Sequence, residues 1–121
     1  MAKLEIDGKF IVVRMGIFDS MLSMRSTLRF SLTSVNRVYL DPVAGEEPKG
    51  FKAPGTAIPG TLTKGTFHFD GVKTFWNIRR GTMVVVVELN GEKFDRLVIE
   101  QNNPEEIVKT IEKALEDLGS N

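Results

Sequence analysis

The sequence predicts a mainly β fold, a curled, mostly antiparallel sheet of about seven strands closed by one C-terminal α-helix. Three observations carry that reading. Asp7-Gly8, Asp70-Gly71 and Asn90-Gly91 accept positive φ at the centre of a tight hairpin, and strand-like residues flank each of them. LTKGTFHF, VKTFWNIR, MVVVVEL and KFDRLVIEQ then follow one another with only short turns, whereas a parallel pairing needs a crossover of a dozen or more residues. Finally, Ile107, Ile111, Ala114, Leu115 and Leu118 recur at helical spacing near the end of the chain.

Taken in order, FIVVRM (10–15) is a β-branched run and predicts the first strand. Residues 16–26, GIFDSMLSMRS, suit either a short helix or a loop: Phe18, Met21, Leu22 and Arg25 fit a turn or two, while Gly16 and the short length oppose it. TLRFSL (27–32) sets Leu28, Phe30 and Leu32 on one face, and NRVYL (36–40) follows as another strand. Residues 42–60 then read as a long loop stiffened by Pro42, Pro48, Pro54 and Pro59. Gly55 and Gly60 each follow a proline, the arrangement of a type II turn with positive φ at the glycine. Phe51 and Ile58 are expected to pack on the sheet and tie this loop down, leaving Lys49 and Lys52 in water.

Among the later strands, Val84 to Val87 reads as buried on both faces. Phe94, Leu97 and Ile99 can share an inward face only if one residue is inserted, which predicts a bulge near Asp95-Arg96. The helix is expected over about 103–118. Asn103 can cap it, Pro104 suits the first turn, Glu105 and Glu106 complement the positive end of the dipole, and Gly119 stops it.

Composition narrows the function. At 121 residues the chain is expected to be one domain, residues 1–121. Sixteen basic and sixteen acidic residues cancel, so the electrostatic footprint of a nucleic-acid binder is missing. Without cysteine there are no disulfides and no thiolate chemistry, and the single histidine, His68, makes a histidine-rich metal site impossible. No cofactor and no catalytic residue are expected. The longest apolar stretch, Met83 to Val87, is too short to cross a bilayer, and a cytoplasmic protein without an integral membrane segment is expected.

FKAPGTAIPG, KGTF, TFWNIRRG, VVVVEL and FDRLVIEQNNPEEIV, in that order, resemble the bacterial pleckstrin-homology-like domain family over roughly residues 9–115. The resemblance implies an antiparallel barrel capped by its last helix, and a small binding or assembly module. It implies no catalytic residues.

Each residue type that could carry chemistry has a plainer reading. The glycine spacing at Gly55 and Gly60 lacks the Lys-Ser/Thr that a phosphate-binding loop requires. His68 is expected to be a solvent-facing strand residue, since a general base needs an oriented partner. Asp95 reads as a rim charge paired with a neighbouring base. Phe67, Phe69, Phe75 and Trp76 are assigned to packing, with Phe67 and Phe69 on one face and Phe75 opposite Trp76.

The leading functional reading is a non-catalytic interaction module. It would bind a protein partner or its own copies as a homo-oligomer, through a strand edge or the 42–60 loop with Phe51, Lys52 and Ile58. The alternative is a peripheral membrane or lipid-headgroup binder using Lys9, Arg25 and Arg29. Because Arg25 and Arg29 lack the Arg-x-Arg spacing of phosphoinositide sites, lipid binding is expected to be weak or absent.

Overall fold

The computed structural model describes residues 2–17, 20–21, 27–46, 49–58, 62–79 and 83–119, with the backbone alone at 51–54 and 58. Strands β1 (Lys3–Asp7), β2 (Phe10–Arg14) and β3 (Leu28–Ser31) form one antiparallel sheet in that order. A second, six-stranded sheet contains β4 (Val35–Leu40), β5 (Phe51–Ile58), β6 (Leu62–Phe69), β7 (Val72–Ile78), β8 (Val84–Leu89) and β9 (Arg96–Glu100). Its order is β4-β8-β9-β7-β6-β5. Helix α1 (Pro104–Gly119) is the last described element. The molecule is thus mainly β with one C-terminal helix, as the sequence predicts, but strand pairing does not close the sheets into a barrel among the described residues.

Among the described residues nine strands stand where about seven are expected, and the two additions are β1 and β5. β5 is the larger correction, because it runs through the stretch read as loop. Its Pro54 is tolerated for two reasons: β5 is an edge strand, and the proline sits in a bulge. Lys52 pairs with Phe67 and Gly55 with Gly65, so Ala53 and Pro54 together oppose Thr66. Gly55 therefore does not take the positive φ of a type II turn; it is a strand residue, and Gly60 lies outside the described residues. What Gly55 provides is close approach: a Cβ there would lie 2.6 Å from the Lys64 carbonyl oxygen.

The hairpin signals divide. At Asp70-Gly71 both residues have positive φ, 52° and 78°, and join β6 to β7 as a two-residue type I′ turn. At the first hairpin Asp7 pairs with Phe10, so the turn residues are Gly8 and Lys9, with positive φ at Gly8 alone. Asn90-Gly91 opens a longer connection: Leu89 N–H donates to the Asp95 carbonyl, and Phe94 lies between the strands. The expected bulge at Asp95-Arg96 is replaced by a later strand start at Arg96, which still lets Phe94, Leu97 and Ile99 join one core cluster.

β9 pairs antiparallel with β8 but parallel with β7. Residues 79–95 are long enough for that crossover, and they fill it with a strand, β8, instead of a helix. β8 is consequently interior, between β4 and β9, which explains its unbroken valines. Val85 and Val87 enter one core, Val84 and Val86 the other.

The first core lies between the two sheets. It gathers Leu4, Ile11, Val13, Phe30, Phe75, Phe94, Leu97 and Ile99, and the apolar stripe of α1, centred on buried Ile111, closes it. The helix lies over β4, β1 and β8. Phe94 anchors this core edge-on to Phe30 and Phe75, with ring centroids 6.1 and 5.8 Å away. Side chains also stitch the sheets together: Gln101 accepts from Leu4 N–H at 3.1 Å and donates to the Ala2 carbonyl at 2.6 Å. Within the large sheet, Lys64, buried to 4 % exposure, donates to Asn77 Oδ1 at 3.2 Å. The second core, on the other face of the large sheet, contains Ala44, Phe67, Trp76, Ile78 and Val98.

Candidate functional site

Alternation along the strands decides what faces this second core. Trp76 pairs with Gly65 and Val98, so Phe67, Thr74, Trp76 and Arg96 all project to the same side of the large sheet. Where that side meets the β6–β7 turn and the start of β9, a groove of about 390 Å³ opens, a volume typical of small-ligand sites. Phe67 and Trp76 form its floor, and both are buried, Trp76 to 1 % exposure.

The floor is overlaid by cations. Lys49 Nζ lies 4.9 Å from the centroid of the Trp76 ring, and the Arg96 guanidinium carbon lies 5.5 Å from it. Arg96 Nε also donates to Thr74 Oγ1 at 3.1 Å. The expectation that Lys49 stands in water is corrected: it is half-buried against the indole.

Carboxylates occupy the rim. Glu88 accepts from the Tyr39 hydroxyl at 3.0 Å and pairs with Arg37 at 3.5 Å. Burial raises the Tyr39 phenol above its ordinary value of 10.0, and the Glu88 bond and charge push the same way against an opposing Arg37. Asp95 accepts from the backbone N–H of Lys73 at 2.8 Å, so its partner is a main-chain group and not the basic side chain expected. Asp70, on the hairpin turn, has no partner among the described residues. Beside it Phe69 and Val72, paired across the hairpin, stay 47 % and 39 % exposed and form an apolar lip. Phe69 is the one of the four aromatic residues assigned to packing that the core does not absorb.

The other sequence-derived candidates are not brought together at this groove. Phe51, Lys52 and Ile58 contribute their backbone to β5, and their side chains lie outside the described residues. Lys9 is exposed at the first hairpin turn. Arg29 donates to Asp7 at 2.6 Å and stacks over Phe10 at 4.7 Å, while Arg14 pairs with Glu5. Arg25 lies outside the described residues. His68 is solvent-exposed on β6. Among the described residues no three His, Asp or Glu side chains converge as metal ligands, and no helix is long and apolar enough to cross a membrane.

The sequence reads Asn36 as the first residue of a strand and Asp70 as half of a hairpin turn, and neither reading points to the groove. Asn36 reaches the mouth because a register shift between Val35 and Arg37 bulges it out of β4. No protein-family model matches the chain, and neither does any curated protein or solved structure.

Proposed function

We propose that this chain is a non-catalytic interaction module of the bacterial pleckstrin-homology-like type, which pairs with a partner or with its own copies along the β5 edge. One observation carries the reading. The two surfaces singled out in the sequence, a strand edge and the 42–60 segment, coincide in β5, an eight-residue strand at the margin of the large sheet. An edge strand of that length offers a row of main-chain groups to an added strand. The other margin of the same sheet, β4, is approached by α1.

Lipid headgroups rank below this because Arg14 and Arg29 are engaged by Glu5 and Asp7 on the small sheet. A phosphate would have to displace those carboxylates.

The test is the molecular mass in solution as a function of concentration and salt. Self-pairing through main-chain groups should persist at high ionic strength, where surface ion pairs are screened. Ala57 is exposed on β5, so Ala57→Lys should place like charges across the paired edges and shift the protein to monomer without lowering its unfolding midpoint. A monomer at high micromolar concentration overturns self-pairing.

A further inference from the structure

We infer that the groove over Trp76 is the seat of a basic side chain from an extended segment of a partner protein, with the Phe69/Val72 lip and Asp70 as its recognition elements. The inference rests on the reading of the chain as a protein-binding module, but it uses a different surface from the β5 edge.

Three features specify the occupant. The volume of about 390 Å³ suits one or two side chains rather than a whole folded element. At the mouth, the exposed apolar pair Phe69 and Val72 stands next to the Asp70 carboxylate. A lysine or arginine matches that juxtaposition, since its methylene stem covers apolar surface while its charged head seeks a carboxylate. Charge at the mouth comes down to Asp70: Glu88 is held by Arg37 and Tyr39, Asp95 accepts from the Lys73 N–H, and the cations Lys49 and Arg96 are drawn onto the indole of the floor. Asp70 is the acceptor still open to a newcomer, being without a partner among the described residues. An acidic segment would meet the carboxylates first.

Trp76 is the sole tryptophan, so its emission reads occupancy directly. The probe is a capped hexapeptide of alternating leucine and lysine, with the same peptide carrying glutamate in place of lysine as the comparison. The lysine peptide should change the Trp76 emission saturably and the glutamate peptide should not. Asp70→Asn should weaken binding by about tenfold, the loss of one charge-assisted contact. Asparagine tolerates the positive φ of 52° at that position, so the turn is kept. Phe69→Ser should weaken binding as well, with the protein still folded at the titration temperature, since the ring is 47 % exposed. Repeating the titration on Ala57→Lys separates the two readings: binding that survives there belongs to the groove even if β5 pairs with nothing. No emission change, an equal response to the glutamate peptide, or full affinity in Asp70→Asn overturns the inference.

Discussion

Gln101 joins the two sheets by imitating a strand. Its amide satisfies a donor and an acceptor of the N-terminal segment, at Leu4 and Ala2, both of which are buried. Gln101→Met keeps the volume and orphans both main-chain groups, so it should destabilise by about 1–3 kcal/mol per group in urea unfolding. Tyr39 sets a pH limit. Its folded-state pKa is raised above 10.0, so the folded form holds its proton where the unfolded form has lost it. That contribution is fully present below pH 10 and is lost as pH rises through the folded value. Tyr39 is the only tyrosine, so its phenolate absorbance titrates it alone. Tyr39→Phe should flatten the alkaline loss of stability relative to the parent protein. Neither role was legible in the sequence, because a glutamine or a tyrosine acquires its partner only when the topology is fixed.

At the scale of elements, local pattern served well where local physics decides. The type I′ turn at Asp70-Gly71, the doubly buried β8 and the amphipathic α1 all follow from the residues that compose them. β5 does not. Proline and glycine argue against a strand, and only an edge position with a bulge opposite Thr66 removes the objection, which is a fact about neighbours. Gly55 measures how tightly that edge is held. Gly55→Ala would bring a methyl to 2.6 Å from the Lys64 oxygen and 2.8 Å from Gly65 Cα, so the strands must part. A cost of about 1–3 kcal/mol is expected, with faster amide exchange along β5 and β6 and little change in β8.

For the whole molecule, composition told less than arrangement. A net charge of zero conceals a small sheet whose arginines are neutralised in place and a groove whose charges are segregated between floor and rim. Binding to anionic vesicles at physiological ionic strength is therefore expected to be weak, and removing the pairing acid with Asp7→Asn should strengthen it. Co-sedimentation with phosphatidylserine vesicles measures both. The groove escaped the sequence reading because its lining comes from strand ends far apart in the chain, and periodicity reports faces, not which ends converge.

The parallel pairing of β7 with β9 also sets an order of assembly. The hairpins β6–β7 and β8–β9 can each zip from their own connection, but the seam between them has no turn to start from and must close over a long intervening chain. Trp76 stands opposite Val98 on that seam. Its burial thus reports when these two hairpins dock, so the same indole that floors the groove is a built-in clock for one non-local step of folding.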